Sequence, residues 1–157
     1  MAHNSKPIAK YLIGLFVTIT VLSCNFSSKE QQSTNNTQKR MNWFPLTDVT
    51  QLTEITEESF KHPVLIFKYS TTCSISATAK GRLERNWDTT QVGNLKTYYL
   101  DLLKYRAISN QIAQTFHVEH ESPQVLIIEN GKCVYHESHL GINFAEISEQ
   151  LSVNSYQ

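Results

Sequence analysis

Four-residue spacings and short apolar runs divide the chain beyond residue 50 into regular elements. Leu52 and Ile55, within residues 50–60, predict a short amphipathic helix. After Pro63, Val64-Leu65-Ile66-Phe67 is an unbroken β-rich run, the pattern of a strand buried on both faces. From Cys73 onward, Ile75, Ala79, Leu83 and Trp87 recur every four positions and predict a helix. Residues 96–101 (KTYYLD) predict a second strand, and Ile108, Ile112, Ala113 and Phe116 a further helix. Residues 125–128 and 133–135 flank Asn130-Gly131, a pair that favours a two-residue hairpin turn. Asn143, with Glu146 three residues on, reads as the cap of a last helix bearing Ile147 and Leu151.

The first forty residues follow other rules. Lys6 and Lys10 precede an apolar run over residues 11–22, broken only by Gly14 and two threonines. That run falls short of the roughly twenty residues needed to cross a bilayer and fits a signal-peptide core. It ends in Val21-Leu22-Ser23-Cys24, which resembles a bacterial lipobox. There the signal is cut before the cysteine, whose thiol takes a diacylglyceryl group. Residues 1–24 are therefore expected to be a signal peptide, with Cys24 the lipidation site of an exported lipoprotein anchored in the bacterial cell envelope. An uncleaved signal anchor is the plainer alternative. Residues 25–42 are rich in Ser, Thr, Asn and Gln without periodicity, a flexible polar tether leading to a folded domain over 43–157. Met41, at that boundary, also offers an internal start that would give a cytoplasmic form.

Charge narrows the function. The formal net charge is zero, but residues 1–40 hold five Lys/Arg and one acid, leaving nine basic and thirteen acidic groups in the remainder. An acidic domain without a basic stripe is unsuited to nucleic acid. Three cysteines (Cys24, Cys73 and Cys133) at wide, unequal spacings form neither a disulfide framework nor a C-x-x-C pair.

The chemistry concentrates at Cys73, in the turn between the first core strand and its helix. A helix N-terminus presents free N–H groups and the positive end of the macrodipole, which favour thiolate over thiol. The thiolate is the nucleophile of disulfide exchange. Three residues on stands Ser76, whose hydroxyl can donate to a thiolate but cannot resolve a mixed disulfide, so exchange would be monothiol. Thr72 and Ser74 flank the cysteine as candidate substrate contacts. Downstream, Ser122-Pro123 precedes the hairpin. Strand, helix, strand, helix, hairpin and helix is the order of a thioredoxin-like α/β fold, a central mixed sheet with helices on both faces and a C-terminal β-hairpin plus helix. Such folds put a cis-proline beside the nucleophile, where Pro123 stands and Ser122 could pair with an extended substrate.

The competing readings are plain ones. Cys133 reads as a small, partly buried hydrophobe. His117, His120, His136 and His139 fall in pairs spaced by three, so a non-catalytic tethered module that binds copper or a partner is the rival class. Copper uptake that depends on Cys73, without turnover, would distinguish it.

Several segments together resemble the bacillithiol-system monothiol bacilliredoxins of the YtxJ type. They are Ile66-Phe67-Lys68, Ser70-Thr71, Cys73-Ser74-Ile75-Ser76, Leu100-Asp101-Leu102-Leu103-x-Tyr105-Arg106, Ser109-Asn110, His120-Glu121-Ser122-Pro123-Gln124, Asn130-Gly131 and Ser138-His139. The likeness runs from about Trp43 to Leu151. It implies a thioredoxin-like oxidoreductase that removes bacillithiol from protein mixed disulfides through Cys73. No bound cofactor is implied, with the small thiol as co-substrate. Two positions depart from the family's FKHSTRC: Tyr69 replaces His and Thr72 replaces Arg, removing two cationic neighbours of the thiol. The leader is a further departure, since the family is usually cytosolic.

Overall fold

A computed structural model of the chain describes residues 41–154. The expected signal peptide, Cys24 and residues 25–40 of the expected tether lie outside the described residues. The packed chain begins by Met41, assigned above to the tether: its side chain is buried in the core, and the Asn42 carbonyl accepts from Thr97 Oγ1 at 2.6 Å.

The elements run β1 (Trp43–Pro45), α1 (Gln51–Glu58), β2 (Val64–Tyr69), α2 (Ser74–Asn86), α3 (Thr89–Val92), β3 (Lys96–Asp101), α4 (Arg106–Phe116), β4 (Gln124–Glu129), β5 (Lys132–Ser138), a 3-10 turn (His139–Gly141) and α5 (Phe144–Asn154). The sheet order is β1-β3-β2-β4-β5. β1 and β2 lie parallel to β3, while β4 pairs antiparallel with β2 and β5 with β4. This is the expected mixed sheet. Among the described residues no helix is long and apolar enough to cross a membrane.

Central β2 has a core on each side because successive side chains point to opposite faces. Leu65 and Phe67 join Ala79 and Leu83 of α2 and Ile147 and Leu151 of α5 in one layer. Val64 and Ile66 join Leu52 and Ile55 of α1 and Ile108, Ile112 and Phe116 of α4 in the other. β4 repeats the division, with Val125 and Ile127 facing α2 and Leu126 and Ile128 facing α4.

The hairpin forms as its sequence demands. Asn130 and Gly131 take φ of 51° and 74°, the two positive values that a tight turn of this twist requires. Ile127 pairs with Tyr135 but Ile128 with Cys133, leaving Val134 as an extra residue. This bulge puts Tyr135 and Cys133 on opposite faces although they are two apart, so each meets the core layer of its partner on β4. Asn143 Oδ1 accepts the Glu146 N–H at 3.0 Å, the cap read from the sequence.

Three local expectations need correcting. Of the expected stripe Ile75, Ala79, Leu83 and Trp87, the last three are buried in one core layer and the first is not. Ile75 is exposed, Trp87 lies past the helix end in extended backbone, and the buried face is Ser76, Ala79 and Leu83. A polar first turn carries the site there, so Ser76 takes the inward place that apolar spacing gave to Ile75. Short β1 and α3 are the other additions. Trp43 stacks on Phe67 with ring centroids 5.6 Å apart, and Val92 is buried in the α2 layer.

Candidate active site

β2 ends at Tyr69 and the chain turns through Ser70, Thr71 and Thr72 before α2 starts at Ser74. Cys73 is therefore the N-cap, in extended backbone (φ −101°, ψ 121°), with its carbonyl accepting from Ala77 N at 3.2 Å. The Cys73 thiol is free and half-buried. The Ser76 backbone N–H, with lesser help from that of Ile75 and from the Ser76 hydroxyl, holds it below its ordinary value against the opposing effect of burial. These are the donors expected of a helix start. The stabilising groups are dipoles, not the cations whose places Tyr69 and Thr72 occupy. Tyr69 packs its ring 5.4 Å from Tyr99, and Thr72 is exposed with Oγ1 3.4 Å from Ser70 Oγ.

Ser76 has no exposed surface. Its Oγ accepts the Ser70 backbone N–H at 3.2 Å, which leaves its own proton for the thiolate. Ser76 thus couples the loop before the cysteine to the helix after it. Replacing it should have a graded effect. In Ser76→Ala the backbone donors remain, so the Cys73 thiol should rise only part of the way toward about 8.5. Its alkylation rate should drop about three- to tenfold below the wild-type thiol's own titration, the two rates converging at alkaline pH where both are ionised. Iodoacetamide kinetics across pH would show this, and equal rates at every pH would remove Ser76 from the site. The depressed thiol also links to stability: thiolate stabilisation is complete above the unfolded value and is lost as pH falls through the folded one.

The second expected element arrives through the sheet. The β2–β4 ladder ends at Lys68 with Gln124, so Pro123 falls at the next position, alongside Tyr69 and the Cys73 loop. The Ser122–Pro123 peptide is cis, as the sequence reading expected. Ser122 Oγ is sealed from solvent with no partner among the described residues. From the other side, His139 N–H donates to the Pro123 carbonyl at 3.0 Å, and the His139 imidazole contacts the Glu121 carboxylate. The flanking residues Thr72 and Ser74 are both exposed beside Cys73.

Cys133 stands apart. It is half-buried against the α1/α4 layer with Sγ 3.2 Å from the Tyr135 carbonyl, and burial pushes its thiol up to about 11. It is a packing residue. Of the histidines, His120 lies against Lys68 and Ser109 and His139 against Glu121; among the described residues no three His, Cys, Asp or Glu side chains converge on one point.

Sequence reasoning overlooked Lys68 as a working group, noting it only within a family segment. Its side chain has no exposed surface, and its Nζ donates to Gln124 Oε1 at 2.7 Å and to His120 Nδ1 at 2.9 Å. The signal was present, a lysine inside the otherwise apolar VLIFKY. Burial, then the nearby Arg106, lower its ammonium to about 8 against the favourable Glu121. Burial, Lys68 and Arg106 push His120 down as well, keeping Nδ1 an acceptor at neutral pH.

Comparison with known proteins agrees with this geometry. Residues 44–147 match the family model described as monothiol bacilliredoxin BrxC. A solved protein assigned as an oxidoreductase with a thioredoxin fold is 30% identical, with a TM-score of 0.60 over 69% of this chain and 92% of that one. Thioredoxin of Malassezia sympodialis superposes with a TM-score of 0.56 at 18% identity, covering 74% of this chain and 93% of its own. That of Trypanosoma brucei brucei gives 0.55 at 16%, with the same coverage. The last two show the fold alone.

Proposed function

The chain belongs to the monothiol bacilliredoxin family, and on that premise we propose that it removes bacillithiol, or a similar small thiol, from protein mixed disulfides through Cys73. Thiol–disulfide oxidoreductase chemistry in general follows from the family and the fold. The single observation that carries the finer reading is a lowered thiol at a helix start with Ser76, not a second cysteine, one turn on.

The Cys73 thiolate attacks the small-thiol sulfur of the mixed disulfide. A bond forms between Cys73 Sγ and that sulfur, and the old S–S bond breaks. The substrate cysteine leaves as thiolate and takes a proton from solvent. One disulfide is consumed and one formed, so no external oxidant enters. Regeneration needs a second small thiol to attack the adduct, releasing Cys73 and a small-molecule disulfide. Thr72 and Ser74 border the attacking sulfur. Ser122 and Pro123 form the substrate edge, and the cis Ser122–Pro123 peptide beside the Cys73 loop, where the Ser122 backbone could pair with an extended substrate, supports that role. We also place the domain at the membrane through lipidated Cys24, where mixed-disulfide proteins of the cell envelope would be its partners.

Mixing the reduced chain with a bacillithiolated model protein, with its glutathionylated form in parallel, tests the reading by intact mass. The expected result is one small-thiol adduct on the chain and stoichiometric release of reduced model protein, faster from the bacillithiolated form. Adduct from neither form would sink the exchange reading, and equal rates from both would remove the preference for bacillithiol.

A further inference from the structure

Lys68 ends the ladder of β2 with β4 and has no exposed surface, on the face where Val64 and Ile66 enter the α1/α4 layer. An apolar side chain there would desolvate no charge, so the ammonium must be matched by partners. Those partners flank one short turn. Gln124, the direct cross-strand neighbour of Lys68, accepts its proton on one side of Ser122–Pro123, and His120 on the other. Gln124 carries the hold further. Its Nε2 donates to the Glu119 carbonyl at 2.9 Å, and its Oε1 also accepts the Glu121 N–H at 3.4 Å. Ser109 Oγ of α4 stands 3.2 Å from the same His120 nitrogen. One cation thus ties the strand leading to Cys73 to both arms of the turn carrying Ser122 and Pro123.

We propose that Lys68 is a positioning residue for exchange: by bracing residues 119–124 from inside the sheet, it fixes the Ser122–Pro123 edge on which the substrate lies. This rests on the reading of that edge as the substrate contact. Lys68 touches neither sulfur; its effect passes through Gln124 and His120. The signature is therefore loss of substrate fit without loss of thiol reactivity.

Two variants of the full chain separate this from a merely structural role. Lys68→Met fills the place with an apolar chain of similar length. Gln124→Met removes the acceptor shared by Lys68 and the Glu121 N–H together with the amide donor to the Glu119 carbonyl. Both should raise KM for a mixed-disulfide protein about tenfold while kcat changes less than about twofold. The pH dependence of Cys73 alkylation should stay at wild type, and amide exchange at Glu121 should speed up about tenfold in each. Unchanged KM and unchanged Glu121 exchange in the two variants would overturn the proposal, as would a shifted alkylation profile, which would make Lys68 a field acting on the thiolate. Wild-type failure to turn over the disulfide would instead defeat the substrate-edge reading, while Glu121 exchange would still decide whether Lys68 braces the turn.

Discussion

Cys73→Ser is expected to abolish exchange, lowering release of a small thiol from a mixed-disulfide protein by more than about a thousandfold. A serine hydroxyl is not ionised near neutral pH and forms no disulfide. The remaining described cysteine offers no substitute. The Cys133 thiol is pushed up to about 11 by burial, so at pH 7 on the order of one molecule in ten thousand carries the thiolate. Cys133→Ser should accordingly leave the rate within about twofold, since its Sγ serves as half-buried packing on the β5 edge. Intact-mass time courses on the two variants provide the check. An adduct that persists in Cys73→Ser and vanishes in Cys133→Ser would reverse the assignment of the nucleophile. The same pair separates chemistry from folding, because Cys73 is a half-buried N-cap and its replacement by Ser keeps a good capping residue.

The parts of the fold that were legible in the sequence are those where one local rule dominates. Val64-Leu65-Ile66-Phe67 read as a two-sided strand because the run is short, rich in β-branched and aromatic residues, and opened by Pro63. Asn130-Gly131 set the hairpin, as only such residues accept two successive positive φ values without strain. Cys73 was legible for a similar reason: the change from strand to helix period leaves the cysteine at the helix start, where its reactivity is determined. What stayed hidden depends on tertiary partners. β1 is three residues paired with β3, and its Trp43 gains its place from Phe67 and from Glu84, which accepts the indole N–H at 2.8 Å. The first position of the α2 stripe was misread because Ser76, a polar residue, and not Ile75 is the one turned inward at the site. Lys68 was passed over for the same reason, as no periodicity reveals that a lysine in a strand will find an amide and an imidazole across the sheet. Both errors fall on residues that serve the site, where local preference and function pull apart.

Ser76→Cys should convert the one-step enzyme into a two-step one. Ser76 sits three residues after the nucleophile, fully buried, with Oγ accepting from Ser70 N and its hydroxyl directed to the Cys73 thiolate. The Ser76 hydroxyl acts on the Cys73 thiol, and a spacing of three at a helix start is the arrangement of thiol pairs that form a disulfide. Once Cys73 carries a small thiol, the introduced thiol can attack Cys73 Sγ. The small thiol then leaves, and an internal disulfide replaces the adduct. The overall balance is one mixed disulfide reduced to two thiols against one thiol pair oxidised. Intramolecular attack has an effective concentration of roughly 10⁵ M or more when well oriented, far above any external small thiol, so adduct lifetime should shorten by more than about a hundredfold even if burial holds the new thiol partly protonated. Intact mass reads the change directly: the wild type accumulates the adduct, and the variant shows the loss of two hydrogens instead. A long-lived adduct on Ser76→Cys would mean that the Ser70 N–H holds the side chain at position 76 away from Cys73. The hydroxyl's part in stabilising the thiolate would then fall with it, leaving the helix N–H groups as the sole source of activation.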